Sequence, residues 1–289
     1  MRLFAKLTVF LVVNLFFFYN SIAQNLHVSL RGGFSNYQGD LQDRRLSLRQ
    51  AKSAYSLGLR YDLSSRFIAR GFFTYAKLAA ADSNNRSTSL QARNLSFQTK
   101  ITEGELGLQY QIRDLNDYWW TPYVFAGVGF FHYKPYALDD LDNKVFLQPL
   151  STEGQGFAPG EKPYKLTQFM IPVGIGAEYA LNEDMRVGIE MGYRFLFTDY
   201  LDDVSGRYVD QALLLANRGQ QAVDLAYRGN GIYPTAGEVR GNTFNKDAFY
   251  YVQLTFTIRP FVDWYERTSG FASFKKNKKV GCPATRQNR

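Results

Sequence analysis

The 289-residue chain is long enough for one large domain or two small ones, and it carries 34 basic and 26 acidic residues. Two histidines, His27 and His132, and a single cysteine, Cys282, argue against a histidine-based metal or catalytic centre and exclude an internal disulfide. Much of the positive excess lies in residues 263–289, with seven basic and two acidic side chains, so we expect no nucleic-acid-binding face on the main body.

The first 23 residues predict a secretory signal peptide. Arg2 and Lys6 precede an apolar run at residues 7–18, and Ser21-Ile22-Ala23 places small residues at the two positions that signal peptidase reads. We expect the mature chain to begin at Gln24. Because this position is not a cysteine, we do not expect lipoprotein processing. No later stretch approaches the roughly 18 apolar residues of a membrane helix.

Alternation of apolar and polar residues is the dominant pattern after the leader. Tyr55, Leu57 and Leu59, for example, share one face of an extended segment, and the residues between them share the other. Several such segments reach the roughly 10 residues of a tilted membrane strand. The pattern predicts eight strands, at residues 26–33, 54–63, 67–78, 101–112, 121–133, 167–180, 185–197 and 247–258.

The two faces of these strands differ in a way that indicates a membrane barrel. One face is continuously apolar and the other mixes glycine with ionic side chains, as expected when lipid lies outside and a narrow lumen inside. The predicted lumen charges are Arg60, Arg186, Arg194, Glu103, Glu105, Glu178 and Glu190. We interpret them as a mutually paired network, since buried charges need partners, in preference to a glycosidase-type carboxylate pair.

Short and long connections alternate strictly along the chain. The short ones are residues 64–66, 113–120 and 182–184, and the long ones are 34–53, 79–100, 134–166 and 198–246. Outer-membrane barrels have short periplasmic turns and long extracellular loops. The sequence therefore predicts an all-β fold, an eight-stranded antiparallel transmembrane β-barrel at residues 24–262, with both termini and a basic tail, residues 263–289, in the periplasm. Tyr118, Trp119 and Trp120 would form an aromatic girdle at one periplasmic turn.

Five segments together resemble a known family. They are SNYQGDL (35–41), TPYVFAGVGFFHYKPYA (121–137), GEKPYKLTQ (160–168), FTDYLDDVSGRY (197–208) and KKNKKVGCP (275–283). In this order they resemble the PorG-like outer-membrane β-barrel proteins of the type IX secretion system. The resemblance implies a non-enzymatic subunit without a cofactor. Its partners would be outer-membrane lipid and the periplasmic ring formed by a lipoprotein and its partner subunit, which it would anchor.

The basic tail is the predicted contact with such partners. The candidate residues are Lys275, Lys276, Lys278, Lys279 and Cys282. They would dock on an acidic periplasmic protein or on anionic lipid headgroups, or else form a solvated terminus. Cys282 is available for an intermolecular disulfide. A different interpretation of the whole chain is a stand-alone small barrel that binds ligands or surfaces through its extracellular loops.

An aspartate-rich stretch follows the seventh predicted strand. Asp199, Asp202 and Asp203 lack the spacing of an EF-hand calcium loop, and we expect them, with Asp210, to end a strand and build turns. A looser calcium site shared with another loop is the alternative, with ligands from Asp139, Asp140 and Asp142. A further alternative is a hydrolase centre in which His132 meets Ser205 and Asp199.

Overall fold

The computed structural model describes residues 25–42, 49–182, 184–242 and 246–260. Ten strands lie in these segments, and eight of them close into an antiparallel barrel because β3 pairs with both β2 and β4. The barrel order is β1-β2-β3-β4-β5-β8-β9-β10 and back to β1. The strands are β1 (Leu26–Gln38), β2 (Lys52–Asp62), β3 (Phe67–Ala81), β4 (Ser96–Gln111), β5 (Trp120–His132), β6 (Tyr136–Leu138), β7 (Lys144–Phe146), β8 (Thr167–Ala180), β9 (Met185–Leu196) and β10 (Ala248–Ile258).

The predicted eight-stranded all-β barrel is confirmed, and β8 has the predicted limits. The signal peptide, residues 1–23, and the tail, residues 263–289, lie outside the described residues. Three strands exceed their predicted length by three residues or more at the end of the barrel that carries the long connections, which we call the outer end. β1 continues to Gln38, β3 continues to Ala81, and β4 already begins at Ser96.

The middle of the barrel has an apolar exterior. Large apolar side chains on the outward face of every strand are exposed, and many of them by more than half; they include Leu57, Leu106, Val128, Ile175 and Leu254. Proteins surrounded by water rarely present so large a continuous apolar surface. A closed barrel satisfies all its backbone hydrogen bonds internally, as hydrocarbon requires. We call this outward surface the lipid belt.

The two faces exchange character at the outer ends of the strands. Inward residues such as Leu78, Ile101 and Phe131 are almost fully buried in an apolar core, while the outward Lys77 and Lys100 are exposed. Above the bilayer the exterior meets water and the interior meets the loops, so the polarity preferred on each face reverses. This reversal is the reason why the alternation pattern underestimated the length of these three strands.

The long connections fold over this outer end as a cap. The described residues of these connections form three α-helices that the sequence did not predict: α1 (Thr88–Arg93), α2 (Gln211–Arg218) and α3 (Gln220–Ala226). The β6–β7 hairpin extends the sheet beside β4, with Gln98 opposite Tyr136. Among the described residues, no helix is long and apolar enough to cross a bilayer. The turns at the opposite end are short, as predicted.

Candidate functional site

The lumen of the barrel is filled by ion pairs at the level of the lipid belt. Glu190 lies between two guanidinium groups: its carboxylate is 2.5 Å from Arg31 Nη1 and 2.9 Å from both Nη1 and Nη2 of Arg70. Glu105 Oε1 accepts a 3.1 Å bond from Arg70 Nη2 and lies 3.4 Å from Arg31 Nη2. Each of these side chains is at most 4% exposed.

The network continues toward both ends of the barrel. Arg194 Nη2 donates to Glu103 Oε1 at 2.9 Å and to Glu105 Oε2 at 3.1 Å. Nearer the short turns, Arg60 makes a bidentate pair with Glu178 at 2.7 and 2.8 Å. Four arginines therefore face four glutamates, and the ionic lumen has no net charge.

Neutral side chains complete the lumen. Tyr123 Oη donates to Glu190 Oε2 at 3.0 Å, and Tyr251 Oη donates to Glu103 Oε2 at 3.1 Å. Aromatic rings cover the guanidinium planes: Arg31 Cζ lies 3.0 Å from the centroid of Phe72, and Arg70 Cζ lies 3.8 Å from that of Phe125. This packing fixes the guanidinium groups within the closed barrel.

The sequence identified most of this network. The predicted lumen positions of Glu103, Glu105, Glu178, Glu190, Arg60 and Arg194 are confirmed, and all six are paired. Arg186 lies at the end of the barrel that carries the short turns and pairs with Asp62 at 3.2 Å. Arg31 and Arg70 were missed. Their period-2 positions between outward residues were the available signal, but β1 and β3 alternate less cleanly than the other strands.

The outer cap holds a second, carboxylate-rich cluster. Thr152 Oγ1 and Tyr164 Oη each donate to the Asp203 carboxylate at 2.6 Å. Arg240 Nη1 donates to Glu153 Oε1 at 2.9 Å and to the backbone oxygen of Asp203 at 2.7 Å. Burial raises the pKa of Asp203 to about 6. The cluster ties residues 152–164 to residues 203–240.

Two further aspartates share one hydroxyl at the mouth of the barrel. Tyr37 Oη lies 2.5 Å from Asp202 Oδ2 and 3.0 Å from Asp247 Oδ1. Backbone amides of Val204 and Leu201 donate to the remaining carboxylate oxygens at 2.9 and 2.8 Å. Burial raises the pKa of both aspartates well above the usual range, and Asp202 also raises that of Asp247.

Arg93 connects three loops of the cap. Its guanidinium group makes a bidentate pair with the fully buried Asp82 at 2.7 and 2.8 Å. The same group donates to the backbone oxygens of Arg240 at 2.5 Å and Asp40 at 3.0 Å. The cap is therefore joined by specific polar contacts in addition to its apolar core.

The predicted turn-building role of the aspartates is confirmed. Asp199 accepts a 2.7 Å bond from Ser205 Oγ, and burial raises its pKa to about 6. Asp210 caps α2 by accepting from Leu213 N at 2.9 Å. Within the described part of the chain, no group of three or more His, Cys, Asp or Glu side chains has an arrangement that could hold a metal ion.

The other residues considered for a site are dispersed. Asp139 closes its own turn by accepting from Leu141 N and Asn143 N, Asp140 pairs with Arg228 at 3.2 Å, and Asp142 adopts a positive φ of 61°. His132 is exposed on the outward face of β5, where Nδ1 lies 3.0 Å from Thr167 Oγ1. Ser205 and Asp199 are buried together in the cap, and the structure does not bring them to His132.

The candidate tail residues Lys275, Lys276, Lys278, Lys279 and Cys282 lie outside the described residues. The aromatic residues predicted for the periplasmic girdle lie among the described residues. Tyr118 and Trp120 are 49% and 45% exposed, and Trp119 stacks on Tyr179 with ring centroids 6.3 Å apart.

A closed barrel with a lipid belt, an ionic lumen and long loops at one end has the architecture of outer-membrane barrels. The chain is a small outer-membrane β-barrel protein.

Comparison with solved structures finds other membrane barrels at low similarity. Neisserial surface protein A is 9% identical, with a TM-score of 0.40, over 81% of this chain and 96% of that one. A major outer-membrane protein of Thermus thermophilus is 12% identical, with a TM-score of 0.40, over 81% and 98%. OprG of Pseudomonas aeruginosa is 10% identical, with a TM-score of 0.36, over 80% and 95%. At these values the similarity adds nothing to the fold, which rests on the strand pairing of the chain itself.

A comparison with the curated proteins finds no match. One protein-family model matches residues 5–212, which is more than half of the chain, and its description is a domain of unknown function, DUF6089. The chain therefore belongs to the DUF6089 family.

Proposed function

We propose that this protein is a non-enzymatic outer-membrane subunit of the type IX secretion machinery, and that it anchors the periplasmic ring rather than conducting solutes. The observation that carries the proposal is the filled lumen, in which four buried arginines are paired with four buried glutamates. A lumen closed in this way offers no path to a substrate, so the protein acts through its surfaces. The secretion setting comes from the five sequence segments described above.

The periplasmic end supports a docking role. An open pocket of about 420 Å³ lies among the short turns and is lined by both acidic and basic side chains, including Asp62, Asp114, Arg186 and Arg259. β10 ends at Ile258, and the next residue, Arg259, lines this pocket. A partner held by the tail would therefore also reach the rim of the barrel.

Conductance in planar bilayers tests the filled lumen. We expect no sustained ion current from the folded protein, because each ionic group of the lumen is held by protein partners. An Arg31→Ser/Arg70→Ser/Glu190→Ser variant provides the comparison, since it removes three long side chains from the middle of the lumen. A steady current through the unmodified protein would contradict a closed anchor.

Crosslinking and mass spectrometry on isolated outer membranes test the partner. Deletion of residues 271–289 should leave a folded barrel, recognised by its heat-modifiable migration in gels, while crosslinks to the lipoprotein ring are lost. A deletion of residues 228–237 in the extracellular cap is the matched control and should retain those crosslinks. Unchanged crosslinks after removal of the tail would count against the anchoring role.

A second function, binding at the cell surface through the loops, is favoured by the folded cap. α2 and α3 have a small core of their own around Leu214, Ala222 and Val223. Apolar side chains nevertheless remain on the outer surface, with Ile232 94% and Leu141 81% exposed. Normal secretion in a deletion strain, together with a phenotype caused by Ile232→Ser/Leu141→Ser alone, would favour this function over anchoring.

A further inference from the structure

Strands β3 and β4 and the segment that follows β5 present lysines side by side on the exterior of the barrel, just above the lipid belt. Lys77 of β3 and Lys100 of β4 are direct cross-strand partners, and both are exposed. On β5, His132 is opposite Thr102, so Lys134 follows at the level of Lys100. The backbone amide of Lys134 donates to Thr99 Oγ1 at 3.0 Å, which holds this segment against β4.

The β6–β7 hairpin adds a fourth lysine and an aromatic support. Lys144 Nζ lies 3.9 Å from the ring centroid of Tyr136 and 4.7 Å from that of Phe146. Lys134 Nζ lies 4.0 Å from the same Phe146 ring. We call Lys77, Lys100, Lys134 and Lys144 the lysine face.

Like charges in direct cross-strand pairs disfavour the folded sheet. Among the described residues, none of the four lysines has a carboxylate within ion-pair distance, whereas the arginines of the lumen are all paired. Desolvation and the charges of Lys100 and Lys134 lower the pKa of Lys144, which agrees with an uncompensated positive cluster. An anion from outside the protein would remove this repulsion.

The strands prevent the lysines from turning toward the carboxylates inside. The inward neighbours Ala76, Leu78 and Ile101 are at most 1% exposed and belong to the apolar core at the barrel mouth. Rotating either strand would carry these residues into water and break its ladder. The lysine face is therefore fixed on the exterior.

The height of the lysine face above the lipid belt indicates which part of the membrane it meets. Tyr75, at the edge of the belt, is two residues from Lys77 on the same face of β3, a separation of about 7 Å along the strand. Phe130 of β5, which is 62% exposed, precedes Lys134 by four residues along the chain. Side chains at this level and orientation meet lipid headgroups of the outer leaflet.

We propose that the lysine face binds the phosphate groups of a phosphorylated glycolipid in the outer leaflet. Clustered lysines with aromatic support provide charge without a rigid hydrogen-bonding geometry, which suits mobile headgroup phosphates. This interaction concerns the membrane-facing exterior and is independent of the secretion role proposed above.

Native mass spectrometry of the detergent-solubilised full-length protein tests the proposal, with bis-phosphorylated lipid A and the same lipid after dephosphorylation as probes. A basic residue near an anionic lipid surface contributes about a five-fold gain in affinity. Lys77→Gln/Lys100→Gln should therefore weaken binding of the phosphorylated lipid by about 25-fold. It should leave the weaker binding of the dephosphorylated lipid unchanged.

Lys162→Gln/Lys246→Gln is the matched control, because it removes two exposed loop lysines and changes the net charge equally. Its affinity for phosphorylated lipid A should stay within about two-fold of the unmodified protein. Heat-modifiable migration shows that each variant is folded. Equal affinity for the two lipids, or equal losses in the two double variants, would overturn the proposal. A sulfated polysaccharide serves as a third probe. If Lys77→Gln/Lys100→Gln lowered the affinity for that probe alone, the result would overturn the proposal in favour of glycan binding.

Discussion

Replacing Glu190 by glutamine should destabilise the barrel more than any other single conservative change in the lumen. Its carboxylate makes three close contacts with Arg31 and Arg70, at 2.5, 2.9 and 2.9 Å, and accepts from Tyr123 at 3.0 Å. Glutamine preserves the volume but removes the charge. Arg31 is then left with a 3.4 Å contact to Glu105, and four buried arginines face three carboxylates.

Removing one partner of a buried ion pair lowers the free energy of unfolding by about 3–5 kcal/mol, because the remaining buried charge is no longer compensated. We expect Glu190→Gln to lower the free energy of unfolding by that amount. Urea unfolding of the protein in phosphatidylcholine vesicles would measure it, with Trp119 and Trp120 at the barrel rim as fluorescent reporters. Glu161→Gln, at an exposed loop position, is the control and should change stability by less than about 0.5 kcal/mol.

A compensating variant separates lost charge from lost packing. Arg31→Met/Glu190→Gln restores the balance between arginines and glutamates, so it should be more stable than Glu190→Gln alone. The reasoning would be refuted if Glu190→Gln cost less than about 1 kcal/mol, or if the double variant were less stable than the single one.

Three further predictions concern the cap and the lipid belt. The pKa of the buried Asp203 is raised from 3.8 to about 6, so this residue should stabilise the cap below about pH 4, and that contribution of about 3 kcal/mol should be lost as the pH rises through 6; hydrogen-exchange protection factors of residues 198–242, corrected for the intrinsic rise of exchange with pH, that did not fall between pH 4 and pH 8 would contradict this. Arg93→Leu leaves Asp82 buried without its partner and should destabilise the cap by about 3 kcal/mol, measured as faster proteolysis of the loops while the barrel stays folded. Ile175→Arg places a charge in the middle of β8 on the lipid belt and should reduce folding stability in vesicles by about 2–4 kcal/mol, whereas Thr102→Arg, at the edge of the belt opposite Tyr75, should cost less than about 1 kcal/mol.

The sequence predicted the barrel because lipid and a narrow lumen impose opposite polarity on alternate residues. That constraint acts over the whole belt, as at Leu57 and Ile175, and it places six of the eight lumen charges. It also explains the order of short and long connections. Arg31 escaped detection because the glycines at 32 and 33 interrupt the alternation beside it.

The outer cap could not be predicted in the same way. Its contacts join residues far apart in the chain, such as Tyr37 with Asp202 and Arg93 with Asp40. The periodicity of apolar and polar residues in the sequence does not indicate such contacts. The helices α2 and α3 pack around a small core that also includes Leu150 and Phe157 from a different loop. The lysine face was equally hidden, since its members become neighbours only through the register of β3, β4 and β5.

Fluorescence quenching by spin-labelled lipid tests the central claim, that the apolar face of these strands lies in the bilayer and the polar face is enclosed. In a Cys282→Ser background, Leu108→Cys and Gln109→Cys label adjacent positions of β4 that are 54% and 1% exposed, respectively. A bimane probe at position 108 should be strongly quenched by spin-labelled phosphatidylcholine, and one at position 109 should not. Quenching at position 109 with none at position 108 would contradict the account.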